Sequence, residues 1–233
     1  MDRIDQFIFI FPLLLLIIWL IIWFIKSNKF LKANKMLNEW KYEEAIKLYK
    51  DITTKNKNHK IAHYNMWIAL EKLNRYEEAL AAYDEVIKLD NSYELAYRAK
   101  GIILDYKLGK YEEAIKTYNE INRINPKSTL NHLNKALALW ILGRNEEAIE
   151  EWNLALNTYD EQNKNKETWK IKWWNKWLIY YFIASTYSFM NKEVESIENL
   201  KKAIEFDKQY KEEAKTDKAF DNIRNSDEFK KTL

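Results

Sequence analysis

The sequence predicts an all-α protein: an apolar helix near the N-terminus, then a stack of helical hairpins, then a closing helix. Three observations carry this. Among 233 residues there are 3 Gly and 2 Pro, too few for the tight turns of sandwiches, barrels or doubly wound sheets. A five-residue motif returns at steps of 34 or 35 residues, a period that marks stacked supersecondary units. Phe7 to Ile25 is a run of 19 residues in which only Pro12 is not hydrophobic.

In chain order, the apolar run comes first. As a helix it spans roughly 28 Å, close to the hydrocarbon thickness of a bilayer. Pro12 falls in the first third, where a membrane helix tolerates it. Trp19 and Trp23 lie toward the far end, near a headgroup level. The flanks do not resemble a cleaved signal: Asp2, Arg3 and Asp5 precede the run, and Ile25-Lys26-Ser27-Asn28-Lys29 contains no small-x-small site. Residues 1–25 are therefore expected to form a retained transmembrane anchor, contacting the membrane through residues 7–25. Lys26, Lys29, Lys32 and Lys35 follow the run while Arg3 alone precedes it, so the positive-inside rule places the remainder in the cytoplasm. No Gly or Pro lies between Ile25 and Leu37, which predicts one continuous helix from the span into the first repeat.

The repeat follows. Tyr42-Glu43-Glu44-Ala45-Ile46 recurs as Tyr76-Glu77-Glu78-Ala79-Leu80, as Tyr111-Glu112-Glu113-Ala114-Ile115 and as Asn145-Glu146-Glu147-Ala148-Ile149. The signature alanines are thus Ala45, Ala79, Ala114 and Ala148. A degenerate fifth copy, Glu193-Val194-Glu195-Ser196-Ile197, stands 48 residues beyond the fourth. Four residues after each motif position comes Tyr49, Tyr83, Tyr118, Trp152 or Leu200, and seven after comes Ile52, Val86, Ile121, Ala155 or Ala203. That i, i+4, i+7 stripe predicts one buried face of a second helix. Its Glu pair falls in the first turn, where the helix dipole favours anions. Small residues twelve positions upstream, Ala33, Ala136 and Ala184, let the two helices approach closely. Leu108-Gly109-Lys110 and Leu142-Gly143-Arg144 supply turns between helices, and Pro126 ends the third unit.

These residues resemble the tetratricopeptide repeat family over residues 26–210, as five units. The resemblance implies a right-handed solenoid of helical hairpins. Two departures matter. Trp67 takes the small-residue position of the second unit, which requires rearranged packing. The third unit has 13 residues from Gly101 to Ala114 where the others have 12, which predicts a bulge in its first helix. Residues 211–233, with Ala214, Asp217, Phe220, Ile223 and Phe229, are expected to form a capping helix.

Composition and motifs exclude most chemistry. There is no Cys, hence no thiolate zinc site and no thiol nucleophile. The balance of 38 basic against 35 acidic residues is too even for a nucleic-acid binder. No glycine-rich phosphate loop or Gly-x-Ser-x-Gly elbow occurs. His59 and His63 are four apart but lack a third ligand nearby. His63 and His132 fall where Tyr97 and Tyr180 stand in other units, which makes them packing residues. We expect no enzyme, no catalytic residue, no cofactor and no metal site.

The resemblance further implies that the first helix of each unit lines a concave docking face. By register this face holds Ile61, Tyr64 and Ile68, then Arg98 and Ile102, then Leu130, Leu133, Leu137, Trp140 and Ile141. The carboxylate clamp of some relatives is not assembled. Asn65 and Asn134 are present, but the matching basic positions read Phe30, Leu95 and Ala99. An apolar segment of a protein partner suits this face; self-association stays open. A second candidate is the insertion near 163–176, where Trp169, Trp173, Trp174 and Trp177 follow a lysine-rich stretch. The Trp169, Trp173, Trp177 spacing predicts that the first helix of the fifth unit reaches backwards, presenting an interaction helix or folding onto the fourth unit. The expected function is a membrane-anchored adaptor binding partner proteins. The alternatives are an architectural subunit of an envelope or secretion assembly, with the repeats outside the cytoplasm, and a docking regulator of a separate enzyme.

Overall fold

A computed structural model of the chain describes residues 28–163 and 176–233, with Ile17, Ile18 and Phe24 besides. Among these residues lie twelve α-helices and no strand. The predicted span therefore falls almost wholly outside the described residues. Among the described residues no helix is long and apolar enough to cross a membrane. That finding overturns the single-pass membrane localisation expected from the sequence, with the cytoplasmic placement that went with it.

The continuous helix expected through Ser27 and Asn28 is also corrected. Asn28 is extended, with ψ 102°, and its side chain accepts from the backbone N–H of Phe30 and Leu31. It is an N-cap, and it starts α1 (Lys29–Asn38) afresh. The absence of Gly and Pro misled because Asn satisfies orphan helix donors as well as it continues a helix.

The chain divides into two compact bodies, residues 1–96 and 97–233. In the first, α1 pairs with α2 (Tyr42–Lys55), and α3 (Lys60–Lys72) pairs with α4 (Tyr76–Leu89). Ala33, Met36, Ala45 and Tyr49 of the first hairpin form one core with Ala62 of α3. α5 (Glu94–Ile102) begins in this body and ends in the next. In the second body α5 runs into a π-helical turn, Ile103–Lys107, before α6 (Tyr111–Ile124). Then come α7 (Thr129–Ile141) with α8 (Asn145–Asn163), and α9 (Lys176–Phe189) with α10 (Glu193–Phe206).

The π turn is the bulge that the thirteenth residue predicts: one extra residue is absorbed where i→i+5 bonding replaces i→i+4. Its neighbour Gly101 is required for space. A Cβ there would lie 2.4 Å from Cε1 of Tyr118, a ring with no exposed surface. Trp67 solves the same position differently: its ring lies 4.6 Å from that of Tyr83, inclined at 43°. The cost is polar, because Trp67 Nε1 and Tyr83 Oη are both buried without a hydrogen-bond partner.

The hairpin turns share one geometry that the sequence showed at only two of five sites. Trp40, Asn74, Gly109, Gly143 and Asn191 all have left-handed φ, between 56° and 72°. The residue after each donates its N–H to a carbonyl five residues back: Lys41 to Met36, Arg75 to Leu70, Lys110 to Leu104 (six back, across the π turn), Arg144 to Leu139 and Lys192 to Tyr187. These are Schellman closures. At Lys41, Arg75, Lys110 and Lys192 the same residue is the N-cap of the next helix and makes no side-chain cap bond. The acids of the first turn complement the helix dipole there instead.

The stripes of the second helices are buried as the pattern predicts, except that Ile52 is half-buried. Tyr49, Tyr83, Tyr118, Trp152 and Leu200 have no exposed surface. Ser196, where the other units have Ala, donates from Oγ to the Ala184 carbonyl at 2.7 Å, so the degenerate copy satisfies its hydroxyl across the hairpin. The C-terminal segment is not one helix. It is α11 (Gln209–Thr216), a 3₁₀ turn at Lys218–Phe220 and α12 (Asp227–Thr232). Asp217 and Ser226 break it by capping, accepting from Ala219 and Phe229 N–H. Ala214, Phe220, Ile223 and Phe229 pack with Tyr181, Ile197, Leu200 and Ala203 of the last hairpin.

Candidate functional site

Each body carries a candidate docking face of its own on its first helices. In the first body Ile61 is 59% exposed. Tyr64 and Ile68 are half-buried; the Tyr64 ring meets Trp67 edge-on at 4.9 Å and Tyr93 at 6.4 Å. Asn65 is engaged, donating to Asn34 Oδ1, which also accepts from Tyr49 Oη at 2.6 Å.

In the second body Arg98, Ile102, Leu137 and Trp140 are half-buried and Ile141 is exposed. Leu133 is a correction: only 1% of it is exposed, so it belongs to the core of its hairpin. Asn134 is buried as well. The register put Leu133 on the face because a helix with apolar residues on several sides gives no single direction. Trp140 and Phe189 meet at 5.7 Å and, with Ile141, Gly143 and Asn145, line a cleft of about 460 Å³. Phe189 is a member of this cleft that the register of the first helices missed.

Of the tryptophan-rich insertion, Trp169, Trp173 and Trp174 lie outside the described residues, as does any backward reach of α9. Trp177 is half-buried and stacks on Phe206 at 6.0 Å, so it is held within its own hairpin. α8 is 19 residues long against 14 in α2, α4, α6 and α10, so its added turns lie in the second helix of the fourth hairpin. Those turns are tied down by Gln162 donating to the Lys127 carbonyl and by an Asp160–Lys176 ion pair at 2.8 Å.

The histidines prove more than packing residues. His132 approaches Glu151 Oε2 through Nδ1 at 2.6 Å and the Pro126 carbonyl through Nε2 at 3.0 Å. A carbonyl and a carboxylate both accept, so the geometry suits the imidazolium form of the ring, in which both nitrogens donate. Lys135 bonds the other oxygen of Glu151 at 2.6 Å. Burial works against the charge on His132, but the bonds to Glu151 and Pro126 outweigh it and raise its pKa. Burial likewise works against the Glu151 carboxylate, and His132 and Lys135 outweigh it and lower its pKa. The signal in the sequence is Glu151, three residues after Ala148, where the second unit has Ala82 and the third Thr117. His63 keeps only half of this arrangement: Nε2 meets the Lys57 carbonyl at 3.1 Å, and Nδ1 is buried without a partner.

Hairpins closed by left-handed turns, packed through a small residue against a buried aromatic, define a helical-hairpin repeat protein. Tetratricopeptide repeat models match residues 40–94, 64–129, 102–162 and 179–210, and the chain belongs to that family. No curated protein matches the chain by sequence. Among solved structures it is similar to YrrB, described as a TPR protein with an unusual peptide-binding site. The identity is 18%, over 82% of this chain and 95% of that one, with a TM-score of 0.62. It is also similar to MamA from Desulfovibrio magneticus RS-1, residues 41 to the end. That identity is 21%, over 76% of this chain and 92% of that one, with a TM-score of 0.60. At these identities the likeness is one of fold.

Proposed function

We propose that the protein is a non-enzymatic adaptor that holds apolar segments of partner proteins on its first-helix faces. The observation that supports this reading is the exposure of Ile61 and Ile141 on those helices, beside half-buried Ile68, Leu137 and Trp140. Apolar side chains kept in water by a well-packed repeat mark an interaction surface more readily than a structural one. The peptide-binding site ascribed to YrrB is consistent with this use of the fold.

A photo-crosslinking residue placed at 61, and in parallel at Glu77 on α4, tests the reading in native cells. Discrete protein adducts at 61 that are absent at 77 support it. Equal adducts at the two positions contradict it.

A further inference from the structure

The second-helix side of the first body contains a groove of about 270 Å³, bounded by α2, α3 and α4. His63, Met66 and Ala82 line it, with Lys50 and Glu85 at the rim. Its meaning follows from the other body. His63 corresponds to His132, Met66 to Lys135 and Ala82 to Glu151; each pair is separated by the same 69 residues (132−63, 135−66, 151−82). The groove therefore lies where the fourth hairpin places the Glu151 carboxylate and its lysine. In the fourth hairpin the space is filled and His132 Nδ1 is satisfied. In the second, Ala82 supplies only a methyl group, and Nδ1 of His63 is buried without a partner.

We propose that this groove is a binding site for the carboxylate of a glutamate side chain from a partner polypeptide, which enters where Glu151 stands in the fourth hairpin. The proposal is independent of the first-helix faces. Three features argue for this occupant. The Nε2–H of His63 is fixed on the Lys57 carbonyl, which leaves Nδ1 to meet the ligand. A carboxyl group suits Nδ1 in either state, accepting from it as a carboxylate or donating to it as an acid. Met66, Leu70, Ile46 and Ala82 line the groove with apolar surface suited to a methylene stem. Lys50 supplies positive charge at the mouth. Arg75 also lines the groove, but it is held by Glu78 at 2.6 Å and Glu43 at 3.0 Å. Two carboxylates of this chain line the groove: Glu78, which is engaged by Arg75, and Glu85, which is exposed and bonded by Lys88 at 2.6 Å.

The test reads the ring nitrogens of His63 by nitrogen-15 NMR in the full chain. Titration with N-acetyl-glutamate methylamide should shift Nδ1 saturably, and the glutamine analogue should not. Glu85→Gln should leave the response in place. Ala82→Glu supplies the carboxylate from within: it should give His63 the ring signals of His132 and weaken capture about tenfold or more. Lys50→Glu, on the exposed rim, should weaken capture several-fold without touching the fold, and it serves if Ala82→Glu does not fold. The proposal is overturned if Nδ1 does not respond, if the glutamine analogue acts equally, or if Glu85→Gln alone moves the His63 signal. Saturation by butyrate at lower concentration than by the capped glutamate would assign the site to a free acid and overturn the polypeptide source.

Discussion

The hairpins at residues 60–89 and 129–163 share one backbone plan and one buried histidine, and they treat that histidine in opposite ways. In the later hairpin the ring lies between a carboxylate and a carbonyl, with half-buried Lys135 completing the cluster. In the earlier one Met66 and Ala82 stand in place of the lysine and the glutamate, and a groove stays open. A repeat scaffold thus fixes where a site can be, while one side chain decides whether the chain fills it. The buried charges of the later hairpin also depend on one another, since each would be costly alone.

The largest expected effect comes from breaking the cluster. Glu151→Ala leaves half-buried Lys135 and the His132 ring without their carboxylate and should destabilise the second body by about 3 kcal/mol, read as a drop in its urea midpoint. Replacing each histidine by Phe should then separate the two hairpins. His132→Phe strands Glu151 against Lys135 alone and should cost about 2 kcal/mol or more, whereas His63→Phe forfeits one bond to a carbonyl, a loss of about 1 kcal/mol. Similar losses at the two positions would mean that the carboxylate is not what distinguishes them.

The cluster also sets a pH window. His132 has its pKa raised on folding, so its contribution is complete below about pH 6.5 and is lost as pH climbs through the raised folded value. Glu151 has its pKa lowered, so its contribution is complete above about pH 4.3 and is lost as pH falls through the lowered folded value. Chemical denaturation across pH should therefore show greatest stability from the cluster between these limits, and Glu151→Ala should flatten both limbs.

A second contrast lies in the helix crossing. Gly101→Val forces a Cβ into the buried ring of Tyr118 and should cost about 1–3 kcal/mol. Trp67→Ala in the second hairpin removes an unpartnered ring nitrogen but opens a cavity beside Tyr83, and should cost about 3 kcal/mol. The smallest effect is expected at Ser196→Ala, which restores the alanine of the other units and exchanges one hydrogen bond for a methyl, a change within about 1 kcal/mol by thermal melting.

Much of this was legible in the residues. Motif spacing located all five second helices, and the count from Gly101 to Ala114 located the π turn, because both follow from helical periodicity alone. Features that depend on side chains meeting across helices were not legible. Trp40 adopts the left-handed turn with φ 64° although a Cβ disfavours it, because the Schellman closure to Met36 holds it there. Leu133 turned inward since α7 is apolar on more than one side. Asn28 read as neutral to a helix and capped one. His132 read as a packing residue, since its partner Glu151 is 19 residues away on the next helix and lies just outside the repeated motif.

The most direct measurement is a nitrogen-15 titration of the His132 ring in the full chain and in Glu151→Ala. The parent should hold both ring protons past pH 6.5, the ordinary midpoint for histidine of about 6.5 being shifted upward, and the variant should lose this shift. A parent ring already singly protonated at that pH, or a variant that titrates as the parent does, would contradict the claim that one carboxylate separates the two hairpins.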